Sequence, residues 1–80
     1  MEREEVKEKV YKVVAQVLKS DISQIREEHN FAADLGAESV QSVELMAGFE
    51  EEFEIEMDED DALAVQSVGG AVDFIAQYLD

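Results

Sequence analysis

No cysteine occurs in the 80 residues, so the chain can form neither a disulfide nor a cysteine metal site. Proline is also absent, and so are the Asn-Gly and Asp-Gly dipeptides of tight hairpins. These absences point to an all-α fold. No apolar run approaches the ~18 residues that a membrane-spanning helix needs. The N-terminal run Met1-Glu2-Arg3-Glu4-Glu5 lacks the pattern of a signal peptide. The cytoplasm is therefore the default location.

Positive charge is scarce and one-sided. All six basic residues (Arg3, Lys7, Lys9, Lys12, Lys19 and Arg26) lie in the first thirty positions, beside seven acids. Residues 31–80 hold fourteen acids and no base. A formal charge of −15 makes nucleic acid an unsuitable partner, because its phosphates would be repelled. The same field would steer a basic protein surface toward the chain. Without such a partner it would serve only solubility.

The chain does contain apolar residues, 46% of the total, mostly at helical spacing. A length of 80 residues suits one small domain spanning 1–80, whose core must be buried efficiently. In residues 2–18, Val6, Val10, Val13, Val14, Val17 and Leu18 recur on one helical face. Glu5–Lys9 and Glu8–Lys12 have the spacing of helical ion pairs. Residues 19–38 read as a long loop, with Ile22, Ile25, Phe31 and Leu35 as anchors to the core and Gly36 at a backbone turn. A second helix covers residues 39–53, with Leu45, Met46, Phe49 and Phe53 facing inward. Gly48 inside it suits the close approach of a neighbour. Asp58 is placed to cap a short third helix running to Leu63 or Val65, and Ser67 to cap a last helix ending at Leu79. The architecture expected is a small bundle of three longer helices and one short one.

Ser39 stands where the long loop becomes the second helix. The first N–H groups of a helix lack intrahelical partners and carry partial positive charge. Serine there is a favoured cap, and a phosphate ester on the same oxygen would lie where anions are stabilised. Residue type and position alone leave both roles open, with the cap the commoner one. Val40, Val43 and Ala47 follow at i, i+3 and i+7, bordered by Glu38, Glu44 and Glu51. An apolar line with acids at its edge reads as a docking face, contact at the centre and steering at the rim.

His29, the only histidine, could be imagined in a hydrolytic triad with Ser39 and Asp34. No nucleophile-elbow pattern supports that, and an exposed loop histidine is the expectation. The acidic run from Glu54 to Asp61 lacks the glycine and terminal glutamate of an EF-hand, so no metal site is assigned.

The stretch Asp34-Leu35-Gly36, then Ser39, then Val43-Glu44-Leu45 resembles the acyl carrier protein family. The resemblance continues through Glu50-Glu51-Glu52-Phe53, the acidic Asp58-to-Ala62 segment and Ser67-Val68-Gly69, so it covers nearly the whole chain. It implies that Ser39 carries 4'-phosphopantetheine, installed from coenzyme A by a separate phosphopantetheinyl transferase. It also implies that the chain is not an enzyme but a carrier of acyl groups as thioesters. The pathway would be the synthesis of fatty acids, or of specialised lipids or secondary metabolites. The helix beginning at Ser39 would be the face read by acyl-transferring and acyl-modifying enzymes with basic patches, and the chain would act as a monomer. Glu38 and Val40 stand where the family usually has Asp and Leu, which points to a specialised member. The alternatives are an amino-acyl or peptidyl carrier, an unmodified acidic interaction module with the same fold, and a calcium-responsive helical protein. Small residues at Ala47, Gly48, Ala71 and Ala76 could admit an acyl chain between helices.

Overall fold

The computed structural model describes residues 1–79. It contains α1 (Arg3–Leu18), a 3-10 turn (Ile22–Gln24), α2 (Ser39–Phe53), the short α3 (Glu59–Ala64) and α4 (Val68–Leu79). Among the described residues there is no strand, only an isolated antiparallel bridge between Asn30 and Ser67. This is the all-α architecture of three longer helices and one short one.

α1 lies against both α2 and α4. Its valines lower helix propensity, so tertiary burial has to hold it. Val6, Val10, Val13 and Val14 are buried against Leu45, Phe49 and Phe53 of α2 and Val68, Val72 and Ile75 of α4. Each such apolar side chain contributes about 1.5–3 kcal/mol when taken fully out of water. Val17 and Leu18 are only half-buried, since the helix ends as they leave the core. Where α1 meets α2, a Cβ added at Gly48 would lie 2.8 Å from Val13 Cγ1. The missing side chain is what lets the two helices approach at that level.

The expected ion pairs along α1 are replaced by longer-range ones. Lys12 Nζ reaches Glu52 on α2 at 3.4 Å, and Lys9 Nζ lies 5.9 Å from the centre of the Phe53 ring. Both lysines turn toward α2, away from Glu5 and Glu8. At the other end of the helix, Arg3 forks between two elements. Its Nη2 donates to Glu27 Oε1 at 2.6 Å and its Nε to Asp73 Oδ1 at 3.0 Å. The hydrogen bond from Arg3 holds the Glu27 carboxyl below its ordinary range. A depressed carboxyl stabilises the fold above its unfolded pKa, and that contribution is lost as pH falls through the folded value. Glu27→Gln should therefore flatten the loss of stability on acidification below the ordinary glutamate range, as read from urea midpoints at successive pH values.

The segment between α1 and α2 is less irregular than its composition implies. Asp21 Oδ1 accepts from the Ser23 N–H at 2.9 Å and caps the 3-10 turn. Ile25 and Phe31 are buried and Leu35 packs beside the core, but Ile22 is 49% exposed and anchors nothing. It sits in the exposed one-turn helix, while Ile25, which follows that turn in extended conformation, is buried. His29 is half-buried, not solvent-exposed as expected: its Nδ1 accepts from the Arg26 N–H at 3.2 Å, and its carbonyl from the Val68 N–H at 3.0 Å.

α2 ends at Glu54, which adopts a left-handed conformation (φ 55°). Non-glycine residues pay roughly 1–2 kcal/mol there. Glu54→Gly is expected to raise stability by about 1 kcal/mol, helped by the removal of one acid from an acidic surface. Thermal or denaturant unfolding of the two proteins checks it. Beyond this turn Asp58 caps α3, its Oδ1 accepting from the Asp61 N–H at 3.1 Å. The Ser67 Oγ accepts from the Gly70 N–H at 3.0 Å at the start of α4, as an N-cap does.

Candidate functional site

The loop entering α2 is wound around a buried aromatic ring. Phe31 is 8% exposed, and its carbonyl accepts from the Ala37 N–H at 2.8 Å. The Asn30 carbonyl accepts from the N–H groups of Asp34 and Leu35, at 3.0 and 3.1 Å. In return Asp34 Oδ2 accepts from the Asn30 N–H at 2.7 Å. Gly36, at φ 71°, closes the turn in a conformation that a side chain would resist. The chain then extends through Glu38 and enters α2.

The structure corrects one detail of the helix start. Glu38, not Ser39, is the N-cap residue, and Ser39 is the first residue of the helix. Gln41 reaches back, its Oε1 accepting from the Glu38 N–H at 2.9 Å, one arm of a capping box. Because Glu38 and Gln41 close the helix end, the Ser39 hydroxyl is not needed for capping. Ser39 is exposed, and no acid occupies the first turn of the helix. A phosphodiester on Ser39 would meet the positive end of the helix dipole in an uncharged first turn. The site therefore fits a serine-linked phosphate group.

The triad reading finds no support in this geometry. Asp34 is engaged with the Asn30 backbone, and the His29 ring nitrogen with Arg26. Among the described residues, no cluster of acids or histidines is placed to hold a metal ion.

Along α2, Val40 is 66% and Val43 50% exposed, and Ala47 is exposed on the same line. Glu38, Glu44 and Glu51 are exposed as well. All six residues of the candidate docking face thus lie at the surface. Sequence reasoning missed Leu63 of α3, an apolar residue that is 44% exposed. The signal was there, a leucine inside an otherwise acidic and small-residue segment.

Behind this surface lies an apolar cavity of about 50 Å³ between α2, α3 and α4. Leu45, Met46 and Phe49 line one side, Met57, Leu63 and Val65 another, and Phe74 and Ile75 the floor. Of the small residues expected to admit a chain, only Ala71 lines it. Gly48 faces α1 instead, and Ala47 is at the surface. Ser42, one helical turn after Ser39, supplies the only hydroxyl of the lining.

Comparison with known proteins agrees with this geometry. Residues 8–75 match the family model described as the phosphopantetheine attachment site. The chain is 45% identical over 75 residues to the acyl carrier protein of Phenylobacterium zucineum, covering 94% of this chain and 95% of that one. It is 43% identical over 77 residues to the acyl carrier protein of Guillardia theta, covering 96% and 95%. A solved acyl carrier protein from Enterococcus faecalis, reported for its high thermal stability, superposes with a TM-score of 0.77 at 35% identity, over 96% of this chain and 98% of that one. The chain therefore belongs to the acyl carrier proteins, carriers rather than enzymes, which hold their cargo on a covalently attached 4'-phosphopantetheine.

Proposed function

We propose that Ser39 is the attachment point of the arm, and that residues 1–80 act as a single monomeric carrier domain in the cytoplasm. The observation that carries this is the exposed hydroxyl at the first position of α2, freed from capping by Glu38 and Gln41. In the loading reaction the Ser39 oxygen attacks the β-phosphorus of coenzyme A. A phosphodiester forms, the pyrophosphate bond breaks, and adenosine 3',5'-bisphosphate leaves. The base and magnesium belong to the transferase, since His29 and Asp34 are engaged elsewhere. Once attached, the arm supplies a terminal thiol that holds cargo as a thioester. An apolar cavity with a single hydroxyl in its lining suits a fatty acyl chain better than an amino-acyl group. Fatty acid or specialised lipid synthesis is the corresponding pathway class.

The experiment is intact mass after incubation with coenzyme A, magnesium and a phosphopantetheinyl transferase. A gain of one phosphopantetheine supports the reading. No gain with a general or a dedicated transferase, and none in protein from its native cell, overturns it.

The docking face is Glu38, Val40, Val43, Glu44, Ala47 and Glu51, offered to partners with basic patches. Reversing Glu44→Lys and Glu51→Lys together should slow transfer to such an enzyme by about tenfold at low salt, and by less as salt screens both forms. Initial rates at two ionic strengths check this. An unchanged melting temperature would show that the loss lies in encounter.

A further inference from the structure

The apolar cavity has a mouth and an end. Ser42, Leu63 and Val65 also border an open surface depression, so they mark the mouth. From there the lining runs along α2 to Phe49 and along α4 from Ala71 to Phe74 and Ile75. At 1.5 Å per helical residue, Ser42 to Phe49 spans about 10 Å. Three elements are tied together at the far end. The Met57 N–H donates to Glu50 Oε2 at 2.8 Å, which fixes the linker into α3 beside α2. The Asp58 N–H donates to the Tyr78 hydroxyl at 3.0 Å, which fixes the same linker to α4. The Tyr78 ring in turn meets Phe74 edge to face, with centroids 5.2 Å apart and planes at 64°.

We propose that Phe74 sets the length of cargo the cavity can bury, that Tyr78 is its positioning residue, and that the cargo class is short saturated acyl chains. The inference rests on acyl carriage at Ser39 and concerns only the length of what is carried. The side walls and the end of the cavity differ in kind. Met46 and Met57 in the walls are unbranched and adapt to what lies against them. Phe74 is a rigid ring, and turning it away would break its edge contact with Tyr78, which Asp58 holds in place. The walls therefore yield sideways, while the end does not lengthen.

Two further observations favour short chains. The enclosed space of about 50 Å³ is a third of the ~150 Å³ apolar cavity that takes up a benzene. Behind the stop, Tyr78 is 39% exposed. A chain that passed Phe74 would come out toward water and gain little further burial.

The test compares the protein loaded with saturated acyl groups of even length, from acetyl to dodecanoyl, each load verified by intact mass. Failure of loading would count against Ser39, whereas loaded proteins without a length limit count against this inference alone. Melting temperature is the readout, because a chain buried only in the folded form raises it. In the parent the rise with chain length should end before octanoyl. In Phe74→Ala it should continue for about four carbons more, since the lost ring has the bulk of a benzene. Phe74→Leu should give a smaller shift of the same sign, and it keeps the comparison available if the alanine variant does not fold. Tyr78→Ala should also lengthen the limit, and Tyr78→Phe, which keeps the ring edge, should restore most of it. A merely structural role for either residue would lower every melting temperature alike and leave the limit where it was. The same limit in the parent and both Phe74 variants, or a rise that runs unbroken to dodecanoyl in the parent, would overturn the proposal. A limit unmoved by Tyr78→Ala would overturn the positioning role.

Discussion

Ser39→Ala should abolish loading by a phosphopantetheinyl transferase while leaving the stability of the bundle within about 0.5 kcal/mol of the parent, the range of a surface substitution. The two halves of this expectation separate the roles that a serine at a helix start can have. If Ser39 capped the helix, its removal would cost ~1 kcal/mol. Here the cap residue is Glu38, and Gln41 answers it at 2.9 Å, so Ser39 contributes an exposed hydroxyl and little else to the fold. Two other serines provide the contrast. Ser67→Ala removes the oxygen that accepts from Gly70 at 3.0 Å, so it should destabilise by about 1 kcal/mol and load normally. Ser42→Ala, in the wall of the cavity, should also load normally. Intact mass and denaturant unfolding of the three variants give the comparison. Loading of Ser39→Ala at another hydroxyl would displace the proposed attachment point.

The second large effect is expected at Gly48. A Cβ there would stand 2.8 Å from Val13 Cγ1, and Val13 is only 3% exposed, so the methyl has little room to withdraw. Gly48→Val would place two further carbons into the same seam between α1 and α2. Overpacking of this kind costs typically about 1–3 kcal/mol. Against a small domain whose whole stability is only a few kcal/mol, that loss should leave a large unfolded fraction at ambient temperature. Gly48→Ala is the milder companion, since part of its clash is offset by the ~0.5–1 kcal/mol that alanine gains over glycine inside a helix. Circular dichroism melts should therefore rank the parent above the alanine variant and the alanine variant well above the valine one. A valine variant as stable as the parent would mean that the helices separate at little cost.

Much of this was legible in the sequence, because helical periodicity states directly which residues are buried. The valine spacing of α1 and the inward face of α2 come out as the core, and Asp58 and Ser67 come out as caps. Ser39 was legible as the residue at the start of the second helix, but residue type alone left a capping role open to it, and the cap falls to Glu38, whose backbone is extended where that of Ser39 is already helical. Ile22 was misplaced for a related reason. Around a one-turn 3-10 helix, which of two isoleucines faces inward depends on how the turn docks, and no periodicity exists over so short a length. Lys9 and Lys12 were assigned to partners along their own helix, while Glu52 and Phe53 lie far away in sequence and become neighbours only after folding. The approach of the loop to the end of α3 has no sequence signature, because backbone hydrogen bonds such as that from the Phe31 N–H to the Gln66 carbonyl help to make it.

The way α1 and Arg3 use their positive charge has a consequence for the carrier between deliveries. Arg3, Lys7 and Lys12 are paired with acids within the molecule, and Lys9 lies against Phe53. The acids from Glu54 to Asp61 have no neighbouring base in sequence to offset them. A basic partner that covers them relieves this self-repulsion, and whatever binds only the folded form also stabilises it. Recognition and folding are then thermodynamically linked. With such partners the carrier would be at its least stable when free in solution, and each enzyme that received it would act for that moment as part of its scaffold.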